Sequence, residues 1–449
     1  MTHLDDDLHD DVRPGRQLSA LVLAVGLTAP GLFLRATHPH LESWVEAVLF
    51  GLAIIGAAFL LSWAAEVAQL DISAGLAIAV LAFIAVLPEY AVDAVLALKG
   101  GNAFEEFGRA CQSEAARLAG EVPDCSLALA NMTGANRLLI GVGWPMVAFL
   151  AWWRFRKRNV RMEGITLERS HSVELGYLSI ATLYSLSLPL KSSITLFDTA
   201  VLVAIFLAYT VRISRAPAEE PHLVGPARLI GNFTIARRRA TVIGLFLFAA
   251  FAILMTAEHF AEALVDTGQQ FGVSEFLLLQ WLAPLASEAP ELLVAGLFAW
   301  RLNTNAGLGT LVSSKVNQWT LLVGTLPLMF AIASGSTHGL PIIAEQREEL
   351  LLTAAQSVFA IAILANLAMS MREALVLFSL FWAQFLLGAV VPESAHGVER
   401  VAVSAGYLLF AIYLFVKARS RFRPMLRDAF KTSYSEMQDE DLDPQLRNA

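Results

Sequence analysis

The chain has 449 residues, of which 56% are hydrophobic and only 16% are charged. A soluble protein carries roughly 25% charged residues, so this composition excludes an ordinary soluble globular fold. The formal net charge of −8, with no basic domain, argues against nucleic-acid binding.

Long apolar segments recur along the whole chain. A run of about 20 apolar residues crosses a bilayer core. Such runs predict twelve transmembrane helices, near residues 17–35, 43–66, 74–98, 126–153, 173–190, 195–213, 240–258, 273–300, 306–334, 350–369, 372–391 and 400–418. The expected fold is an all-α polytopic membrane protein. No small-residue cleavage site follows the first run, so we expect the first helix to be retained.

Basic residues indicate how the helices are oriented. Lys and Arg are concentrated in cytoplasmic loops. They cluster after spans four, six and twelve, at Arg154, Arg156, Lys157, Arg158, Arg161, Arg169, Arg212, Arg215, Arg228, Arg237, Arg238, Arg239, Lys417, Arg419, Arg421, Arg423 and Arg427. With an even number of spans these segments share one side. Both termini are therefore predicted to be cytoplasmic, in a protein of the cell membrane.

The two cysteines, Cys111 and Cys125, lie in the loop 99–125. This loop is predicted to face outward, into an oxidising space where disulfides persist. A disulfide that closes the loop and a pair of free thiols both agree with the sequence.

An acidic motif occurs once in each half of the chain. Span three contains Pro88-Glu89 and span eight contains Pro290-Glu291. After a polar loop, each motif is followed by a helix that starts with small residues, at 128–136 and 308–315. Spans three and eight are five spans apart, an odd number, so the two motif helices run in opposite directions. This predicts two inverted five-helix repeats with one extra helix at each end, as in many secondary transporters.

The domain organisation follows from these spans and from the prolines between them. We expect an N-terminal tail and extra helix at 1–42, a first repeat half at 43–213, a cytoplasmic linker at 214–239, a second repeat half at 240–391, and an extra helix with a cytoplasmic tail at 392–449.

A Pro-Glu pair inside a membrane helix indicates a cation site. Proline removes a backbone donor and leaves carbonyl oxygens free. Free carbonyls are tolerated at membrane depth only where protein or a watery cavity satisfies them. Together with carboxylates they suit a hard cation such as Ca²⁺ or Na⁺.

The paired motifs resemble those of the cation/calcium exchanger superfamily, over roughly residues 43–391. Family motifs have the form Gly-Thr-Ser-Leu-Pro-Glu-Leu and Gly-Asn-x-x-Gly-Ser-Asn. The resemblance implies that Glu89 and Glu291 bind the transported ion. It also assigns Asn136 as the last polar ligand of repeat one and Ser287 as the hydroxyl ligand of repeat two.

This chain departs from the family pattern at several positions. Ala85 and Val86 replace hydroxyl residues, and Glu288 and Asp93 add two carboxylates. Arg137 follows Asn136 directly, so it adds a positive charge beside the ion ligands.

Lys315 replaces the Asn or Asp ligand of repeat two. We hypothesise that its ammonium takes the place of a coupling sodium ion and neutralises Glu288 or Asp93. Coupling would then use fewer sodium ions, or protons. The alternative is that Lys315 points away and extends to the membrane interface.

The predicted function is secondary antiport by alternating access, with Ca²⁺ or a related cation exchanged for Na⁺ or H⁺. The alternative is a monovalent cation/proton antiporter of the same fold. No HExxH, nucleophile elbow or P-loop occurs, so an enzyme is not expected. The expected partners are the lipid bilayer and small cations. The transported ion is cargo, no cofactor is expected, and the oligomeric state stays open.

Overall fold

Helices make up nearly all of the regular structure. The computed structural model describes residues 14–37, 41–71, 87–113, 125–157, 162–216, 223, 225–272, 275–392 and 395–437. Its α-helices are α1 Pro14–Thr37, α2 Ser43–Ala68, α3 Leu87–Phe107, α4 Ala128–Leu138, α5 Trp144–Lys157, α6 Ser172–Ser185, α7 Leu196–Ile213, α8 Pro226–Gly231, α9 Ile235–Phe271, α10 Glu275–Trp300, α11 Thr304–Asn317, α12 Val323–Ser334, α13 Ala344–Leu364, α14 Met371–Val390, α15 His396–Lys417 and α16 Arg419–Phe430. Short strands are β1 Gly164–Thr166, β2 Ser193–Ile194, β3 Leu340–Pro341 and β4 Ala368–Ser370.

Many of these helices are long and apolar enough to cross a membrane. Within the described residues nine continuous helical segments meet that criterion. The two parts of α10, Leu278–Ala289 and Glu291–Trp300, meet it as a pair that is broken at Pro290. The predicted all-helical membrane architecture is therefore confirmed, whereas the count of twelve spans stays a prediction.

Three helices extend beyond their predicted spans at one end or both. α9 spans Ile235–Phe271 where the sequence predicts 240–258, and α3 continues to Phe107. The extensions are rich in Ala, Glu, Arg and Gln, which favour helix, and the last three of these are too polar to lengthen an apolar run. α9 ends at Phe271, and the φ of +64° at the following Gly272 is a left-handed conformation that suits glycine. α13 begins at Ala344, six residues before the predicted span.

The chain divides into two structural units, and each unit takes one segment from each half of the sequence. One unit comprises Met1–Val95 and Ala218–Pro290, and the other comprises Leu96–Pro217 and Glu291–Ala449. Two of the three boundaries between these segments fall within the motif helices, α3 and α10, and the third falls within the predicted linker.

Helices α1, α2 and α9 form much of the first unit. Small residues allow close approach: a Cβ added to Gly56 of α2 would collide with the carbonyl oxygen of Ala24 in α1. At the end of α2, Asp71 accepts two hydrogen bonds of 2.8 Å from Arg238 and one of 3.1 Å from Arg239, both on α9.

The second unit contains two small antiparallel sheets. β1 pairs with β4, with Gly164 opposite Ser370, and β2 pairs with β3, with Ser193 opposite Pro341. The chain runs from β1 through α6 to β2, and later from β3 through α13 to β4. Helix α6 thus leads from the first sheet to the second, and α13 leads back.

The helices that follow β2 and β4 start with the same capping motif. At the start of α7, Thr195 and Asp198 form a capping box, in which the Thr195 amide donates to Asp198 over 2.7 Å. At the start of α14, Ser370 and Glu373 form another capping box, in which the Ser370 amide donates to the Glu373 carboxylate over 2.8 Å. A capping box satisfies backbone donors that a helix start leaves without partners.

A disulfide joins Cys111 to Cys125, with Cα atoms 5.6 Å apart. Both residues are buried. Of the two alternatives that the sequence leaves open, the structure has the bonded pair.

Some predicted features lie outside the described residues. These are Ala85 and Val86, the linker residues 217–222 and 224, Arg158 and Arg161, the first 13 residues and the acidic end of the tail from residue 438.

Candidate functional site

Four of the predicted ion-site residues belong to the first unit. Glu89 lies in the first turn of α3 and Asp93 one turn later, and Ser287 and Glu288 lie on α10. Each side chain is buried, with at most 2% of its surface exposed. The Ser287 hydroxyl donates to the carbonyl oxygens of Ala283 and Pro284, at 3.2 and 3.3 Å, so its oxygen lone pairs remain for a further donor or a cation.

The second motif glutamate, Glu291, belongs to the second unit and follows the break of α10 at Pro290. Its side chain lies near Ser314 of α11. Proline cannot donate a backbone hydrogen bond, so the helix is interrupted next to the carboxylate, as the sequence predicts.

Helices α4 and α11 end in the same local irregularity. A π-helical turn follows each, at Leu139–Gly143 and at Gln318–Leu322. π-turns inside helices are rare and frequent at functional sites. Asn136 and Lys315 each precede their π-turn by three residues. The backbone thus places these two residues at equivalent positions, which agrees with the match made from the sequence.

Lys315 and Asn136 bind each other directly. The Lys315 ammonium donates to the Asn136 backbone oxygen over 2.6 Å and to its side-chain oxygen over 2.7 Å. The Asn136 amide nitrogen donates to the Met132 carbonyl over 2.9 Å, which turns its oxygen toward the lysine. Lys315 is fully buried, and its ammonium lies 5.3 Å from the Trp319 ring centroid. The alternative that Lys315 extends to the interface is therefore wrong.

Arg137 is directed to a different set of partners. Its guanidinium donates to Glu349 of α13 over 2.5 Å and to the side-chain oxygen of Gln384 on α14. Glu349 also pairs with Arg400 of α15. The sequence did not predict the roles of Glu349, Gln384 and Arg400. A lone arginine in an apolar helix does indicate that a buried anion lies elsewhere in the fold.

The structure thus brings some predicted residues together and not others. Asn136 contacts Lys315, whereas Arg137 is paired with Glu349. Among the residues that the structure describes, no three His, Cys, Asp or Glu side chains are grouped closely enough to hold a metal ion.

Comparison with known proteins identifies the family. A sequence model described as "Sodium/calcium exchanger protein" matches residues 42–214 and 241–418, well over half of the chain. This chain belongs to the sodium/calcium exchanger family. The relationship expected from the paired motifs is thereby confirmed. As an exchanger, the protein is an integral membrane transporter of small cations.

Two solved exchanger structures are similar over most of their length. The H⁺/Ca²⁺ exchanger CAX is 39% identical, with a TM-score of 0.81 over 92% of this chain and 97% of that chain. A Ca²⁺/H⁺ antiporter protein, YfkE, is 14% identical, with a TM-score of 0.55 over 87% of this exchanger and 99% of that chain. The second comparison shows a shared fold alone. No curated protein matches the chain.

Proposed function

We propose that this exchanger moves Ca²⁺ across the membrane in exchange for protons, by alternating access. The observation that carries the choice of protons over sodium is the contact between Lys315 and Asn136. A fixed ammonium binds the two oxygens that the family resemblance assigns to an ion ligand. A lysine that already occupies these oxygens competes with a sodium ion for them.

Glu89 and Glu291 are the proposed ligands of the transported ion. Two ionised carboxylates balance the charge of one Ca²⁺, and the same two groups can carry protons on the return half of the cycle. Glu288, Asp93 and Ser287 are proposed as further oxygen ligands. The similarity to an H⁺/Ca²⁺ exchanger at 39% identity supports the same pair of ions.

Alternating access requires a site that opens to each side in turn, and inverted repeats provide two equivalent half-structures for this. The opposite courses of α6 and α13 between the same two sheets support such an inversion. The capping boxes at the starts of α7 and α14 also support a repeat. The proposed repeat halves remain 43–213 and 240–391, with both termini in the cytoplasm.

The test is uptake of radiolabelled calcium into proteoliposomes that contain the full-length protein. An imposed pH gradient is expected to drive uptake, and a sodium gradient at equal pH on both sides is not. Glu89→Gln and Glu291→Gln should each abolish uptake. Glu168→Gln, which removes an exposed carboxylate before α6, is the matched control and should transport normally.

Two outcomes would contradict the proposal. Uptake driven by sodium alone would assign sodium as the coupling ion. Absence of calcium flux under either gradient, with proton-coupled sodium flux in its place, would make the protein a monovalent cation/proton antiporter.

A further inference from the structure

One buried glutamate holds two buried arginines in the second unit. Oxygen Oε2 of Glu349 accepts from Arg137 over 2.5 Å, and oxygen Oε1 lies 2.8 Å from Nε of Arg400. The exposed fractions of the three side chains are 3%, 2% and 8%. Each carboxylate oxygen therefore serves a different arginine.

These contacts connect helices that are far apart in the sequence. Arg137 lies on α4, Glu349 on α13 and Arg400 on α15. Gln384 of α14 accepts a further hydrogen bond from Arg137. The backbone oxygen of Arg137 is in addition 3.5 Å from the Gln356 amide of α13. Helix α4 is thus held by polar contacts on its Arg137 side.

The network leads from the buried interior to the surface. Arg400 also donates to Glu345 over 3.0 Å and to Glu348 over 3.2 Å, and the side chains of these two residues are 38% and 27% exposed. Of the three glutamates, Glu349 is the one that is buried and that reaches Arg137. Removing one partner of a buried ion pair leaves an uncompensated charge, which is strongly unfavourable.

The position of Arg137 in the helix links this network to Asn136. Adjacent residues of an α-helix point about 100° apart, because one turn takes about 3.6 residues. The direction in which Arg137 is held therefore sets the direction in which Asn136 points. Asn136 offers both its oxygens to Lys315, at 2.6 and 2.7 Å.

We infer that Glu349 is a positioning residue of the transport site: by binding Arg137 it fixes the rotation of α4 and so presents the two oxygens of Asn136 to Lys315. Glu349 binds Arg137 and Arg400, and it acts on Asn136 through Arg137. The inference rests on the proposed antiport function for its effect on flux, but the contact between helices can be tested without flux.

The experiment compares two substitutions that separate charge from shape. Glu349→Gln keeps the shape and removes the charge, whereas Glu349→Asp keeps the charge and shortens the side chain. A positioning role through the ion pair predicts that calcium flux falls roughly tenfold or more in Glu349→Gln and less in Glu349→Asp. Glu345→Gln is the matched control, since Glu345 binds Arg400 at the exposed end of the network, and its flux should stay within about twofold of the wild type.

Hydrogen exchange of the full-length protein supplies the second measurement. In Glu349→Gln, amide exchange is expected to rise in residues 128–138 and to remain unchanged in α1 and α2. In Glu345→Gln it should be unchanged in both. If Glu349→Gln does not fold, Arg137→Gln/Glu349→Gln removes both charges, and exchange at 128–138 is expected to stay raised because the tether is lost.

Three results would overturn the inference. One is a Gln variant that transports at least as well as the Asp variant, because shape alone would then matter. Another is unchanged exchange of α4 in every Glu349 variant. The third is equal loss of flux in Glu345→Gln. If the wild type transports no calcium, the proposed function fails, and the exchange data still decide the role of Glu349.

Discussion

Lys315 carries a positive charge that cannot leave the protein, whereas a bound sodium ion can dissociate and be counted in the transport stoichiometry. Its ammonium holds both oxygens of Asn136. In the proposed mechanism, the ammonium permanently fills one cation-binding position. A position that is always filled cannot bind and release a coupling ion, so it takes no part in the exchange of ions between the two sides of the membrane.

Lys315→Asn is expected to change the coupling of the exchanger. The substitution removes the fixed charge and restores an amide oxygen at the position where the family has Asn or Asp. We expect sodium-driven calcium uptake to appear or the proton dependence of uptake to weaken. Uptake assays under separate pH and sodium gradients measure this change. Unchanged ion selectivity and stoichiometry in Lys315→Asn would refute the assigned role.

Asp71 is expected to make stability depend on acid pH. The hydrogen bonds from Arg238 are the main cause that lowers the pKa of Asp71 from 3.8 to about 2. Desolvation acts in the opposite direction and raises the pKa, whereas the bond from Arg239 lowers it further. A lowered pKa means that the stabilising interaction is complete above pH 3.8 and is lost as the pH falls through about 2. Asp71→Asn should cost about 1 kcal/mol at neutral pH.

The measurement is thermal unfolding of the purified wild type and of Asp71→Asn between pH 7 and pH 2. The difference between the two proteins should shrink as the pH decreases below 4. Glu163→Gln, an exposed carboxylate outside any ion pair that the structure records, serves as the comparison. A difference that stays constant across this range would contradict the argument.

At the residue scale, the family resemblance matched Lys315 with Asn136, and both residues follow small residues and precede a Gly- and Pro-containing segment. It did not predict the partner of Arg137. Glu349 is 212 positions away, and the predicted span began at residue 350, which left Glu349 in a loop. The π-turns after α4 and α11 carry no sequence pattern that we recognise, so the equivalence of the two positions became exact only with the backbone.

At the scale of helices, α1 and α2 approach each other closely at glycines, of which Gly56 of α2 is one. Gly56 faces the backbone of Ala24, and a Cβ there would collide with its carbonyl oxygen. Gly56→Ala is expected to destabilise the protein by about 1–3 kcal/mol, because backbone cannot move aside as a flexible side chain can. Loss of thermal stability in detergent is the measurement.

Gly26 of α1 is the matched control for this prediction. A Cβ added there meets no atom within 4 Å. Gly26→Ala should be neutral or slightly stabilising, since alanine favours helix more than glycine does. Equal effects of the two substitutions would show that the α1–α2 contact tolerates a methyl group.

Hydropathy predicted the apolar parts of the helices well and their polar ends poorly. α9 is longer than its predicted span at both ends, and α13 starts earlier than predicted. Charged residues at these ends are compatible with helix but not with the hydrocarbon core, so a hydropathy pattern stops before the helix does. The three glutamates of the network, Glu345, Glu348 and Glu349, lie in the first six residues of α13, which precede the predicted span.

At the scale of the whole molecule, the two sheets are expected to lie on opposite sides of the membrane. The loop before β1 is rich in basic residues and is predicted to be cytoplasmic, which places the loop before β2 outside. A membrane-impermeant maleimide applied to intact cells should label Ser192→Cys and not Glu163→Cys. Inverted vesicles should give the reverse result.

The wild-type protein is the control for labelling, because Cys111 and Cys125 are buried and bonded to each other. Labelling of both introduced cysteines from the same side would contradict the inverted topology. The two positions are suitable since both residues are exposed and lie next to, rather than within, the paired strands.

The two sheets also constrain the order of events during synthesis. Each sheet pairs a strand from the first half of the chain with a strand from the second, β1 with β4 and β2 with β3. When the first half leaves the ribosome, both of its strands lack their partners. Pairing between such distant segments is slow, because a long loop must close before contacts compensate for the lost entropy. The second unit can therefore be completed only after the ribosome has released most of the chain, and a truncated first half would present two unpaired strand edges to other chains.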